Sequence, residues 1–199
     1  MLYDAETISK FADCGISILD SPTDVIPQAL VYLGYDDSSK NPDELDEAED
    51  LLHEARPYIK KFTSSTLLND LANGDVCIAM SWAGDYATAA SRAREAGKDI
   101  DLRYFVPEEG GLLWVDIVVI PKDTKNLENA YLLLDYLLRP EVSADFVNLT
   151  HYASPVPEAK AFIKEEVLND TAVYPTPEIM DRLFFTEVDP PKYTRIKTR

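Results

Sequence analysis

Basic residues are scarce in this sequence. Lysine and arginine number 19 against 36 aspartates and glutamates in 199 residues, so the formal charge is 19 − 36 = −17. That deficit excludes nucleic acid and anionic membranes as partners, because both are bound through a surplus of basic side chains. Glycine is sparse too, at seven residues. No GxGxxG or GxxxxGK(S/T) pattern occurs, which removes the usual phosphate-cradling loops. The two cysteines, Cys14 and Cys77, are too few for a disulfide scaffold and form no CxxC; they are either one bridge or two buried thiols. The two histidines, His53 and His151, lie far apart without ligand-like spacing, so neither a metal site nor a cofactor is expected. No run approaches the ~20 apolar residues of a membrane helix, and no basic stretch followed by an apolar one opens the chain. Yet 46% of the residues are hydrophobic, enough to bury a core. The acidity therefore expresses a soluble surface, a cationic ligand, or both.

Periodicity predicts an α/β chain. A helix is expected over 4–13, then a short buried strand over 16–19 and a helix through Gln28–Leu33, with Thr23 or Asp24 as its N-cap so that Pro27 falls in the first turn. Residues 35–47 read as a polar, acidic loop. Its Asp37-Ser38-Ser39-Lys40-Asn41 has Pro42 and Ala48 where a calcium loop needs Gly and Glu, so an EF-hand is rejected. Helices follow over 47–55 and, capped by Ser64 or Ser65, up to Asn73-Gly74. Residues 75–82 alternate as a strand, with Val76, Ile78, Met80 and Trp82 on one face. Asp85 opens an alanine-rich helix closed by Gly97. Leu102–Val106 reads as a strand, and Leu112–Ile120, apolar on both faces, as a central one. A strong helix through Ala130–Leu138 is broken at Arg139-Pro140, and Pro140 can start the next. A further helix is expected near 157–168.

Three clusters pair an aromatic ring with a carboxylate. Trp82 and Asp85 stand at a strand end and the following helix start, the position that faces the ligand crevice in α/β folds. Trp114 and Asp116 share a strand face, and a carboxylate in so apolar a strand is costly unless paired. Tyr152 follows a helix, and Asp24 sits at another helix start. Core packing for each tryptophan and plain N-capping for Asp85 are the structural alternatives. Together these residue types suit an alkylammonium ligand. Carboxylates accept the ammonium, and aromatic walls cover the methylenes while adding a cation–π attraction of ~0.5–2 kcal/mol per good contact.

The segments FTSSTLLNDLANGDVCIAMSWAGD (62–85), WVDIVVIP, NLENAYLLLDYLLRPEV and HYASPV resemble, in order and over nearly the whole chain, the polyamine-binding periplasmic proteins of ABC transporters. The resemblance implies an α/β, type II-like periplasmic binding fold of two lobes with ligand in the cleft between them. It implies residues 1–94 and 148–199 as most of the second lobe, and 95–147 as a segment returning to the first. Family members are much longer, so the chain is expected to be the C-terminal part of such a protein and to self-associate through uncovered apolar edges. The ligand residues carry over onto Asp24, Trp82, Asp85, Trp114, Asp116 and Tyr152. Cys14 and Cys77 match a cysteine pair of similar proteins, which implies a bridge. The implied function is binding of putrescine or spermidine for delivery to membrane permease subunits, in the periplasm, with no catalysis. A sensor, a non-binding fragment, and an acid hydrolase using Asp85 and Asp116 are the alternatives.

Overall fold

The computed structural model describes residues 2–187 and Tyr193. Helix α1 (Ala5–Ser9) is capped by Asp4, whose side chain accepts from Glu6 N. Gly15, at φ 92°, then turns the chain into β1 (Ile16–Ile18), buried along its whole length. Helix α2 (Pro22–Tyr32) begins earlier than the sequence predicts. Ser21 is its N-cap and Pro22 its first residue, so Asp24 lies in the first turn and Pro27 inside the helix, where it forfeits one backbone bond. Helix α3 (Pro42–Ala55) also starts early. Asn41 accepts from Asp43 N at 3.2 Å and Pro42 takes the first position, so the expected acidic loop is one turn and more of helix.

A 3₁₀ turn (Arg56–Tyr58) leads to β2 (Lys61–Phe62), then α4 (Leu67–Asn73), β3 (Ile78–Ala79) and α5 (Ala83–Glu95). Thr66, not Ser64 or Ser65, occupies the N-cap of α4, and Gly74 ends that helix in the left-handed conformation. The three strands form one parallel sheet in the order β2-β1-β3, with Ser17 opposite Lys61 and Ala79. β3 is short, and of the face predicted around it Val76 and Met80 are buried while Ile78 and Trp82 are half-buried. The core built from Ile8, Ile16, Ile18, Leu30 and Leu67 surrounds this sheet. Cys14 and Cys77 are bonded, with Cα atoms 5.6 Å apart, which ties the entry of β1 to that of β3. The bridge joins positions 63 residues apart, worth about 4 kcal/mol in the chain-entropy treatment. Asp70 of α4 pairs with Lys61 of β2 and accepts from Thr66 Oγ1 at 2.8 Å. Burial pushes its carboxyl upward, but the bonds from Lys61 and Thr66 outweigh this and hold it below the usual carboxylate range.

The second half is built differently. Residues 102–106, expected as a strand, join no ladder. The central strand expected over 112–120 is reduced to β4 (Gly111–Leu112), parallel to β5 (Leu183–Phe184). Leu113 N still donates to Phe184 O at 2.8 Å, and there the pairing ends. Val115, Ile117, Val118 and Val119 are 63–76% exposed. A strand apolar on both faces needs ladder partners and cover on both sides, and among the described residues only β5 pairs with it. Helix α6 (Leu127–Leu137) forms as predicted but buries no residue. Helix α7 (Pro140–Thr150) starts on Pro140 as expected, and with the 3₁₀ segment Pro157–Ala161 and α8 (Glu165–Leu168) it builds a second core around Val147, Ile163 and Val167. A short α9 (Pro177–Met180) precedes β5. No helix among the described residues is long and apolar enough to cross a membrane.

Candidate functional site

A cleft of about 1970 Å³ lies between the first core, the 101–118 segment and the residues after α7. Asp24, Trp82, Trp114, Asp116 and Tyr152 line it, so five of the six residues singled out in the sequence share one cleft. The sixth, Asp85, does not line the cleft, and its carboxyl couples electrostatically to the Tyr152 hydroxyl.

Each residue arrives by a local rule. Trp82 is the N-cap position of α5, in extended backbone, with no side-chain cap bond. Asp85 is therefore not the cap but a first-turn carboxylate, where the helix dipole favours negative charge. Asp24 occupies the equivalent place in α2. Tyr152 is delivered by His151, which ends α7 at φ 57°, ψ 31°, the left-handed turn that folds the chain back across α5. Gly84 lets it settle there. A Cβ at that position would stand 2.5 Å from Tyr152 Cζ and 2.6 Å from Thr150 O.

Asp24 is 4% exposed. Its Oδ1 accepts from Trp114 Nε1 at 2.7 Å and, at longer range, from Trp82 Nε1 at 3.4 Å; Ser21 Oγ donates to its other oxygen. Trp82 also packs against the first core, whereas Trp114 is exposed, and both indoles reach Asp24. Burial pushes the Asp85 carboxyl upward, against the opposing pull of the Tyr152 hydroxyl and the Arg92 charge. Burial likewise raises the Tyr152 phenol to about 12, helped by the Asp85 charge and its hydrogen bond and by the charge of Asp116. Asp116 departs from expectation. It is exposed, because the strand carrying it lacks cover, so no desolvation cost demands a partner for it here. The sequence reading overlooked Tyr86 and Tyr104, cleft residues whose ring centroids are 5.7 Å apart. The spacing of Tyr86 four residues after Trp82, on one helix face, is the signal for the first; Tyr104, outside regular structure, carries none. The arrangement offers negative charge, one raised carboxyl and several aromatic faces. It suits a cation with an apolar body.

Comparison with known proteins agrees with this chemistry. A family model for bacterial extracellular solute-binding proteins matches residues 4–176. The putrescine-binding periplasmic protein SpuD of Pseudomonas aeruginosa is 39% identical over the whole of this chain and 54% of its own length. The putrescine-binding periplasmic protein PotF of Escherichia coli is also 39% identical, with the same coverage. The spermidine/putrescine ABC transporter substrate-binding protein PotD of Streptococcus pneumoniae superposes with a TM-score of 0.82 at 29% identity, over 99% of this chain and 58% of that one. The chain spans about half the length of the curated relatives it matches. Its architecture is the α/β fold of PotD-type periplasmic binding proteins, and the chain belongs to the bacterial extracellular solute-binding protein family.

Proposed function

We propose that this chain contributes the cleft wall of a periplasmic substrate-binding component of a polyamine ABC transporter, which binds putrescine or spermidine and hands it to membrane permease subunits. The observation that carries the reading is that Trp82, Trp114 and Tyr152 line one cleft with Asp24 and Asp116, while Asp85 couples to Tyr152. In this reading Asp85 and Asp116 take the ammonium groups and the aromatic rings enclose the methylenes. The task is capture and release, with no bond made or broken; the solute-binding function of the relatives supports this, as their names support a periplasmic location. We divide the chain into residues 1–94 and 148–199 as most of one lobe, with 95–147 returning to the other. That β4 and α6 belong to neither core supports setting the segment that carries them apart from the rest.

Isothermal titration of the chain with putrescine and with spermidine tests the proposal. Saturable binding is expected, and the double variant Asp85→Ala, Asp116→Ala, which removes both ammonium acceptors, should weaken it by about tenfold or more. Unchanged affinity in that variant would remove the two carboxylates from the site.

A further inference from the structure

Asp24 differs from the other acids of the cleft in what already holds it. At 4% exposure it offers almost no surface to an incoming ligand. Its oxygens carry three donors: the indole N–H of Trp114 at 2.7 Å, that of Trp82 at 3.4 Å, and the Ser21 hydroxyl. The two indoles come from segments 58 and 90 residues away. No ion pair to Asp24 occurs among the described residues. Its charge is therefore stabilised by neutral N–H and O–H groups, and an ammonium reaching it would have to displace an indole.

We propose that Asp24 is a positioning residue, a carboxylate clamp that holds Trp82 and Trp114 by their N–H edges and so fixes the direction of both ring faces. An indole anchored at Nε1 keeps its π-face free for a cation, and hydrogen bonds to an ionised acceptor are about twice as strong as neutral ones. Trp114 gains most. It is 52% exposed, and its own strand loses its ladder after Leu113. The bond to α2 anchors the aromatic end of that segment to the first core. The effect on ligand affinity rests on the polyamine reading; the clamp itself does not.

The sequence contains two tryptophans, so the ¹H–¹⁵N spectrum of the full chain shows two indole resonances. The isosteric variant Asp24→Asn is expected to move both. Trp114→Phe should delete one and move the other, and Trp82→Phe should do the reverse, because the two share one acceptor oxygen. Indole resonances that stay in place in Asp24→Asn, or that ignore each other's removal, would overturn the clamp. These readings need no ligand. For putrescine, Asp24→Asn should raise Kd by about tenfold, and Asp24→Asn combined with Trp114→Phe should be no weaker than the worse single variant, the non-additivity of groups acting as a unit. Multiplying losses would make Asp24 a direct ligand contact and refute the positioning role. If the parent chain binds neither polyamine, the functional reading fails while the indole shifts still decide the clamp.

Discussion

A carboxyl group that burial has pushed upward loses its affinity for a cation earlier on acidification than an exposed one. Asp85 is in that position. Only its ionised form attracts an ammonium group, so its contribution to binding is complete above its folded-state pKa and is lost as pH falls through it. Because that pKa is raised, the loss begins at a higher pH than the ~3.9 of an ordinary aspartate. Putrescine stays doubly charged throughout, since alkylammonium groups titrate near ~10. Calorimetric Kd measured from about pH 7 down to about pH 4 should therefore rise in the parent chain and stay flatter in Asp85→Asn. The same sign governs the free protein: the unliganded fold favours the protonated carboxyl, and a bound cation reverses that preference. A profile in which parent and variant run parallel would take Asp85 out of the binding equilibrium. The existence of this acid was legible in Trp82-Ala83-Gly84-Asp85; its coupling to Tyr152 was not, because the two residues are brought together only by the fold.

Where α7 ends and α5 begins, one glycine sets the spacing. Alanine is worth up to ~1 kcal/mol more than glycine in a helix interior, so Gly84→Ala ought to help α5 if nothing opposed it. Its methyl would instead press on the Tyr152 ring and on the Thr150 carbonyl, and a backbone carbonyl yields at high cost. The expected result is a melting temperature lowered by several degrees, with polyamine affinity down by about tenfold as Tyr152 moves away from Asp85. Spectrophotometric titration of the phenols checks the cause: the Tyr152 value of about 12 should fall towards the usual range. Full affinity with an unmoved phenol would contradict this account of the junction. Element starts show how far the sequence could be read. Pro140 announced α7 correctly, because proline at a first position has one meaning. Asn41-Pro42 carried the same signal for α3 but was submerged in acidic residues, which suit a loop and a first helical turn alike. Ser64, Ser65 and Thr66 are chemically equivalent caps, and only packing of the helix they precede selects Thr66.

At the scale of the molecule, charge and apolar surface are unevenly matched. The net charge of −17 keeps chains apart, while the run Val115–Val119 and the leucines of α6 present apolar side chains to water. An unpaired apolar strand is a template for a second copy. Sedimentation velocity should show concentration-dependent association, stronger at high salt where the repulsion is screened. Substituting Ile117 and Val119 by lysine, which blunts sheet edges, should return it to monomer. A monomer at every concentration and salt would count against self-pairing of this edge. The same segment explains where the sequence reading of the fold stopped. Apolar spacing in Leu112–Ile120 states that a residue is suited to cover, not that cover is present. A parallel strand also depends on neighbours distant in sequence, whereas the helices, whose bonds are local, were nearly all foreseen. Asp24, Trp82 and Asp85 lie at helix starts and Tyr152 in the turn after α7, places that local sequence marks, whereas Trp114 and Asp116 lie in the extended segment after β4.

The shared acceptor of the two indoles has one more consequence, an optical one. The chain has no tryptophan other than Trp82 and Trp114, and both stand on Asp24 at the cleft. Its long-wavelength emission therefore originates wholly at that wall. The intrinsic fluorescence of this protein is a built-in reporter of the cleft, and it says nothing directly about the rest of the fold.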